Sequence, residues 1–167
     1  MTSNDANFRN KTQPRSLMAR GIDALSRREY SRRELKERLQ RDLPQGQNPA
    51  DVEDVLDALE QKKFLSDERY ARSRVRMRSA RYGNRRLAYE LSVQGVDSET
   101  IELALQEAPD EFERAWEAWR RRFGRLPEDF KEKARQTRFL TARGFGFDMI
   151  ERVFEKAREE AGKDDYP

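Results

Sequence analysis

Apolar residues recur along the chain at the three- and four-residue spacing of an amphipathic helix, and this pattern repeats. The segment RLAYELSVQGVDSETIELALQEA (86–108) aligns with RQTRFLTARGFGFDMIERVFEKA (135–157) at a constant offset of 49 residues. Gly95 in the first copy matches Gly144 in the second, each at a point where one helix must end and the next begin. Self-similarity of this length is typical of proteins built from stacked helical units.

A third copy lies earlier in the chain, where Ser31–Leu39 aligns with Gly83–Leu91 and a longer connector with prolines and a glycine follows. Each copy is preceded by one more helical stretch, at 15–29, 66–81 and 110–123. The sequence therefore predicts an all-α fold of three tandem three-helix, helix-turn-helix-like repeats, elongated and curved. The predicted boundaries are a disordered leader at 1–14, repeats at 15–65, 66–109 and 110–158, and a frayed tail at 159–167.

Capping residues mark several of the predicted helix starts. Ser31 and Glu34 have the spacing of a capping box, in which each side chain satisfies an otherwise free backbone N–H. Asn48 is a predicted N-cap, because Pro49 suits the first helical position. Ser66 is the predicted cap of the next helix, where two acidic residues follow at the positive end of the helix dipole.

Composition favours several thin cores over one thick core. Hydrophobic residues make up 35% and charged residues 40% of the chain, against typical values of about 45–50% and about 25%. The chain contains no cysteine and no histidine, so the commonest general base and the usual soft metal ligands are missing and no cofactor is predicted. No apolar run approaches the roughly 20 residues of a membrane span, and the polar N-terminus does not resemble a signal peptide. A soluble cytoplasmic protein is expected.

The spacing of Leu91, Gly95, Ile101 and Ala104 is that of a helix-turn-helix. In proteins that read DNA, the second helix of this motif enters the major groove and presents basic or amide side chains. The corresponding helix here is acidic in all three copies and would be repelled by phosphate. The segments 51–68, 96–113 and 146–167 each contain seven acidic residues, against two, no and four basic residues. Sequence-specific operator binding is therefore disfavoured, and the motif is interpreted as scaffold.

The remaining segments are basic, so that the sign of the charge alternates along each repeat. Residues 69–95 contain eight arginines and one acid, and residues 114–126 contain five basic residues and one acid. One interpretation is that acidic helices neutralise their basic neighbours within each unit. The other is a two-signed surface for a partner that is part protein and part nucleic acid. The predicted basic surface consists of Arg28, Arg32, Arg33, Arg69, Arg72, Arg74, Arg76, Arg78, Arg81, Arg85, Arg86, Arg120, Arg121 and Arg122.

The arginines of the stretch that begins at Ser66 fall on two ridges of a helix with 100° per residue. One ridge carries Arg69, Arg72 and Arg76. The other ridge consists of Arg74, Arg78 and Arg81. Two ridges could contact two partners, one of which is a phosphate backbone. Trp116 and Trp119 lie beside a third basic run, and the favoured interpretation is that they pack in a core, with base stacking as the alternative.

An enzymatic alternative rests on one cluster of acids. Glu107, Asp110, Glu111 and Glu113 could hold the metal of a metal-dependent nuclease. The favoured interpretation is a solvated helix start, because acidic residues are common there.

Four stretches in register resemble the RecX regulatory proteins of bacteria. They are LSRREYSRRELKERL (25–39), FLSDERYA (64–71), YGNRRLAYELSVQGV (82–96) and RFLTARGFGFDMI (138–150), and the resemblance covers about residues 15–158. Most of the matching positions are interpreted as caps and core. Two positions depart from the family pattern. Asn84 stands where the family often has proline, which is expected to loosen that helix start, and Ser66 stands where it often has aspartate.

The resemblance implies a regulator without catalytic activity. RecX proteins bind the RecA recombinase and lodge in the groove of its filament on single-stranded DNA. They limit filament growth and so inhibit the recombinase activity and the co-protease activity that triggers the SOS response. They also bind DNA weakly and without sequence preference. No sequence feature requires a dimer, so a monomer is expected. The alternative is a helix-turn-helix-type regulator that acts on DNA alone.

Overall fold

The computed structural model describes residues 15–43 and 46–164, which form nine α-helices and, within these ranges, no strand. In the first third of the chain they are α1 (Leu17–Arg27), α2 (Arg32–Arg41) and α3 (Ala50–Gln61). The middle third contains α4 (Asp67–Arg78), α5 (Asn84–Val93) and α6 (Ser98–Gln106). The last third contains α7 (Glu111–Arg122), α8 (Phe130–Ala142) and α9 (Phe147–Asp164).

The helices pack in consecutive threes, and each group closes around its own apolar core. Leu35 and Leu56 are completely buried in the core of the first unit. Tyr70 and Leu91 lie in the core of the second unit, and Phe154 lies in the core of the third. The predicted all-α fold of repeated three-helix units is confirmed. Three small cores in series also match a composition with few apolar residues.

The predicted serine caps are confirmed, but the capping box is only half formed. Ser31 Oγ accepts the N–H of Glu34 at 3.0 Å, and Ser66 Oγ accepts the N–H of Arg69 at 3.2 Å. The carboxylate of Glu34 does not return to Ser31. It pairs with both terminal nitrogens of Arg28, at 2.8 and 2.9 Å, because a charged bidentate partner binds a carboxylate more strongly than a single amide does.

The start of α3 lies one residue later than predicted. The helix begins at Ala50, and Pro49 occupies the cap position with helical torsion angles. Asn48 still satisfies one free donor, because its Oδ1 accepts the N–H of Ala50 at 3.0 Å.

The predicted tail is wrong in part. Helix α9 continues to Asp164, so residues 159–164 are helical. Glutamate and alanine at these positions are strong helix formers, and the buried Ala157 fixes the preceding turn in the third core. The rest of the predicted tail, 165–167, and the predicted leader, 1–14, lie outside the described residues.

Gly95 and Gly144 end α5 and α8 as predicted. Both have left-handed backbone angles, with φ of 79° and 87°. The residue after each glycine donates its N–H to the carbonyl of a leucine in the last helical turn. The two bonds run from Val96 to Leu91 and from Phe145 to Leu140, and both are 3.2 Å long. This is the hydrogen bond of a Schellman motif, which glycine permits at no steric cost.

The same carboxylate contact joins the units at both junctions. Asp67, the first residue of α4, accepts the N–H of Arg32, the first residue of α2, at 2.7 Å. Glu111, the first residue of α7, accepts the N–H of Asn84, the first residue of α5, also at 2.7 Å. Each carboxylate thus satisfies a free donor at the helix start of the preceding unit. Asn84 therefore does not loosen the start of α5, since proline could not supply this N–H.

The junction between the second and third units also brings two backbones into direct contact. The N–H of Gly83 donates to the carbonyl of Arg143 at 2.8 Å. A Cβ atom on Gly83 would lie 2.4 Å from the carbonyl oxygen of Gly144. A Cβ atom on Gly144 would in turn lie 2.4 Å from the Cβ of Arg86. Side chains at these two positions would force the second and third units apart.

Arg114 crosses the same junction and is 7% exposed. Its Nη1 donates to the carbonyls of Ser79 and Tyr82 at 3.2 and 2.7 Å. Its Nη2 donates to Asn84 Oδ1 at 2.5 Å, and its Nε donates to the carbonyl of Pro109 at 2.9 Å. Burial lowers the pKa of this guanidinium, although nearby acids oppose the shift. Arg114 is therefore part of the scaffold and not a surface cation.

The junction carboxylate of Asp67 permits a test of stability against pH. Burial raises the pKa of Asp67 above its usual value, although the hydrogen bond from the Arg32 N–H opposes the shift. The stability that this group contributes is therefore lost as pH rises through the folded-state pKa. We expect Asp67→Asn, which keeps the acceptor without the charge, to be as stable as the wild type or more stable at pH 7. That difference should vanish near pH 3.5, below the unfolded-state pKa of about 3.9.

The matched control is Asp67→Ala, which removes the acceptor and should lower the free energy of unfolding by about 1 kcal/mol. Urea denaturation of the three proteins at both pH values measures the effect. An Ala variant as stable as the wild type at pH 7 would show that the oxygen of Asp67 does not matter at this junction. An Asn variant that loses as much as the Ala variant would contradict the expectation that the charge of Asp67 is unfavourable there.

Candidate nucleic-acid interface

Most of the predicted basic surface is engaged within the molecule. Nine of the fourteen predicted arginines lie within 4 Å of a carboxylate. They are Arg28, Arg32, Arg33, Arg69, Arg72, Arg78, Arg86, Arg120 and Arg121. For these nine arginines, acidic residues of the same molecule neutralise at least part of the positive charge, which is the first of the two interpretations given above.

Arg32 shows how an acidic third helix neutralises a basic second helix. Its guanidinium bonds three acids of α3, namely Glu53 at 2.9 Å, Asp57 at 2.7 Å and Glu60 at 2.8 Å. Hydrogen bonds from Lys36 and Arg32 lower the pKa of the Glu53 carboxyl. Three carboxylates around one guanidinium neutralise its charge, so Arg32 adds no net positive charge to the surface of the first unit.

The first predicted ridge of α4 is also largely occupied. Arg69 Nε donates to Glu29 of the first unit at 2.9 Å, which ties α4 to the preceding repeat. Arg72 Nε donates to Glu107, just after α6, at 2.8 Å. Within the described residues only Arg76 of this ridge is without a carboxylate partner, and its side chain is exposed.

The second predicted ridge divides in the same way. Arg78 makes two bonds of 2.8 Å to Glu90, and Arg86 donates to the same carboxylate at 3.1 Å. Burial tends to raise the pKa of Glu90, but these two guanidinium groups lower it overall. Arg74 and Arg81 have no carboxylate within 4 Å in the part of the chain that the structure describes.

A cleft between the second and third units gathers the arginines that lack strong partners. It has a volume of about 320 Å³ and lies between the end of α4, the outer side of α7 and the end of α8. Arg81, Arg121, Arg122 and Arg143 line it, together with Phe139 and two alanines. The carboxylate of Glu117, which pairs with Arg121 at 3.6 Å, is not part of the lining.

The predicted basic surface did not include Arg143, because Arg143 is not part of a continuous basic run. Its guanidinium carbon lies 3.8 Å from the centre of the Phe139 ring. No periodicity joins these two residues to Arg81, which is far away in the chain. The sequence signals are that Arg143 lies in the stretch RFLTARGFGFDMI (138–150), which resembles the RecX family, and that it directly precedes the glycine that ends α8.

Arg85 lies on another part of the same junction. A Cβ atom on Gly146 would lie 3.4 Å from its Nη2, so Arg85 adjoins the loop between α8 and α9. Two exposed aromatic residues lie nearby in the chain, Tyr89 one turn along α5 and Phe147 next to Gly146.

Five of the fourteen predicted arginines have no carboxylate partner in the described ranges. They are Arg74, Arg76, Arg81, Arg85 and Arg122.

The two tryptophans pack in the core of the third unit, as the favoured interpretation held. Trp116 and Trp119 are 4% and 2% exposed, and their ring centres lie 5.1 Å apart. Trp119 Nε1 donates to the buried Gln136 Oε1 at 2.7 Å. They are therefore unavailable for base stacking and serve instead as reporters of folding in this unit.

The acids proposed for a nuclease site have separate structural roles. Glu107 pairs with Arg72, and Glu111 accepts the N–H of Asn84. Asp110 accepts the N–H of Glu113 at 3.0 Å as the cap of α7. Among the residues that the structure describes, no three acidic side chains converge as metal ligands would.

The helix-turn-helix of the second unit presents an acidic face. The exposed side of α6 carries Glu99 and Glu102, and no basic residue lies on this helix. The apolar side of α6, with Ile101 and Ala104, is buried against α4 and α5. The described part of the chain also has no helix that is long and apolar enough to cross a membrane. The fold thus defines a protein of tandem three-helix repeats, in which the second helix of this helix-turn-helix buries its apolar side and exposes an acidic side.

Comparison with known proteins agrees with this class. The profile of the second three-helix domain of RecX matches residues 66–105, and that of the third three-helix domain matches residues 109–154. A regulatory protein RecX of Chromobacterium violaceum is 45% identical over 83% of this chain and 89% of its own length. One of Neisseria meningitidis serogroup C is 36% identical over 90% of this chain and 96% of its own.

Solved structures show the same fold. A crystal structure of RecX from Lactobacillus salivarius superposes with a TM-score of 0.67 over 85% of this chain and 97% of its own, at 20% identity. A second regulatory protein RecX superposes with a TM-score of 0.70 over 83% of this chain and 70% of its own, at 23% identity. The chain belongs to the RecX family of regulatory proteins.

Proposed function

We propose that this protein binds RecA and its filament on single-stranded DNA, limits filament growth, and so inhibits recombinase and co-protease activity. It acts in the cytoplasm as a monomer and binds DNA weakly and without sequence preference. The observation that carries the proposal is membership of the RecX family, which extends over 83–90% of the chain in the relatives described above. The acidic face of α6 argues against the alternative of a regulator that reads DNA by itself.

The surface of the middle unit supports a partner of mixed chemistry. Glu99 and Glu102 are exposed on α6, while Arg76 and Arg85 are exposed on α4 and α5. A partner that carries only negative charge would be repelled by Glu99 and Glu102. A partner that carries only positive charge would be repelled by Arg76 and Arg85. A filament of protein on DNA offers acidic, basic and phosphate groups within one groove.

The test is RecA's ATP hydrolysis in the presence of single-stranded DNA while this protein is added. Loss of hydrolysis at amounts well below the RecA concentration supports action at filament ends or disassembly. Loss only near equal amounts supports occupation of the groove. Unchanged hydrolysis at a large excess of this protein over RecA would contradict the proposal.

A charge reversal on α4 tests where the partner binds. Arg74→Glu combined with Arg76→Glu removes no ion pair of the described residues, so the fold should survive. We expect this variant to need at least about fivefold more protein for half inhibition of RecA, because each reversed charge at an interface opposes the partner.

Arg38→Glu combined with Arg41→Glu is the matched control, since it makes the same change in net charge in the first unit and also breaks no carboxylate pair there. It should inhibit within about twofold of the wild type, as expected for charges away from an interface. If both variants lose inhibition equally, net charge and not the position on α4 determines binding.

A further inference from the structure

The cleft between the second and third units differs electrostatically from the rest of the molecule. Arg81, Arg121, Arg122 and Arg143 surround a volume of about 320 Å³, and no carboxylate is among the lining residues. Three other hollows lined by two or more arginines each include an acid in their lining. The acids are Asp23 and Asp42 in the first unit, Glu107 beside α4 and Glu160 beside α7. Among these four hollows, only the cleft between the second and third units has arginines and no acid in its lining.

Like charges gathered in this way repel one another. Elsewhere the protein places an acid beside its clustered arginines, as Glu90 lies between Arg78 and Arg86. In the cleft no lining residue supplies such an acid, and the space between the arginines is open to solvent. An anion that enters it would relieve the repulsion and gain several charge-assisted hydrogen bonds.

One guanidinium of the cleft is already oriented. Arg143 lies over the Phe139 ring at 3.8 Å, and Phe139 is itself held edge-on by Phe123 at 5.2 Å. Stacking restricts the plane of the guanidinium and leaves its N–H edges free. A planar fork of donors matches the spacing of two phosphate oxygens, and a side chain that is already ordered loses less entropy on binding.

We propose that this cleft binds the phosphodiester backbone of a nucleic-acid strand. The inference rests on the proposed function, because it assigns the phosphate contact of that function to one place. A strand fits better than a free nucleotide, because the four cations are spread over two units and their guanidinium groups are the only polar side-chain groups in the lining. Alanines and a ring covered by Arg143 form the remaining lining. Binding is therefore independent of sequence and requires both units.

The experiment measures the affinity of the full-length protein for a labelled single-stranded oligonucleotide at several salt concentrations. Arg81→Gln combined with Arg143→Gln is the test variant, because neither side chain has a carboxylate partner in the described ranges. We expect affinity to fall about tenfold at low salt, and the slope of log affinity against log salt to fall by about 1.4, at about 0.7 per lost phosphate contact.

Arg38→Gln combined with Arg41→Gln lowers the net charge equally in the first unit and is expected to stay within about twofold of the wild type. Circular dichroism and the melting temperature verify that both variants are folded. Equal losses in the two variants would overturn the site, since binding would then follow net charge alone. Unchanged affinity in the Arg81 and Arg143 variant would overturn it as well.

Competition distinguishes the possible sources of phosphate. Unlabelled oligonucleotide should displace the label, whereas ATP and inorganic phosphate at the same phosphate concentration should not. Displacement by ATP at that concentration would overturn the assignment to a strand. The RecA assay is scored separately, so a wild-type protein that leaves RecA unaffected refutes the proposed function while the oligonucleotide result still decides the cleft.

Discussion

Replacing Gly144 with alanine is expected to lower the free energy of unfolding of the third unit by about 3 kcal/mol. Two effects add at this position. The left-handed backbone, with φ of 87°, costs a residue with a Cβ about 1–2 kcal/mol. The new Cβ would also lie 2.6 Å from the Arg86 backbone nitrogen and 2.4 Å from its Cβ, so the backbones of two units must move apart.

Gly46→Ala separates the two effects, because Gly46 has nearly the same φ, 86°, and no atom within 4 Å of a new Cβ. It should therefore cost only the backbone contribution of about 1–2 kcal/mol. Urea denaturation followed by far-UV circular dichroism measures both losses, because Gly46 lies in the first unit and the fluorescence of the two tryptophans reports only on the third. Equal losses in the two variants would mean that the close contact at Gly144 contributes nothing. Because the proposed cleft spans the same junction, the Gly144 variant should also bind oligonucleotide more weakly.

Replacing Arg114 with methionine is expected to lower the free energy of unfolding by about 3 kcal/mol or more. Methionine has a similar volume but no donors, so the carbonyls of Ser79 and Tyr82 lose a charged partner inside the protein. Each buried acceptor without a partner costs about 1–3 kcal/mol. The same denaturation assay measures the loss, and hydrogen exchange at the start of α5 should increase because Asn84 Oδ1 is released.

Two controls refine this expectation. Arg114→Lys keeps the charge but supplies donors from only one nitrogen, so it should recover only part of the loss. Arg120→Met changes an exposed arginine of the same helix, whose pairing with Glu117 is long at 3.8 Å, and should stay within about 0.5 kcal/mol of the wild type. A loss at Arg120 as large as that at Arg114 would attribute the effect to helix α7 in general and not to the junction.

The helices, their repeat and most of their caps could be predicted, because each depends on residues within four positions of one another. The period of apolar residues indicates a buried stripe, and a serine or glycine at its end marks a boundary. Two predictions failed for different reasons. Glu34 pairs with Arg28, six residues away, and not with the backbone of the predicted capping box. Helix α9 continues into the predicted tail as far as Asp164, because strong helix formers follow its last buried turn.

The candidate site was predicted only in outline. Fourteen arginines were predicted as a basic surface, but a helical wheel places residues only relative to their own helix. It cannot show that Arg32 meets three acids of α3, or that Arg69 meets Glu29 of another unit. Which arginines remain for a partner therefore depends on the packing of helices that are far apart in sequence.

Local spacing along the chain thus determined an all-α repeat protein with alternating charge and without histidine or cysteine chemistry. Tertiary structure alone decided which of its cations are neutralised, that Arg114 and the two facing glycines join the second and third units, and that Arg81 and Arg143 line one cleft at that junction. The reason is physical. Helix formation depends on neighbours in sequence, whereas ion pairing and clefts depend on distances in space that only the packed helices define.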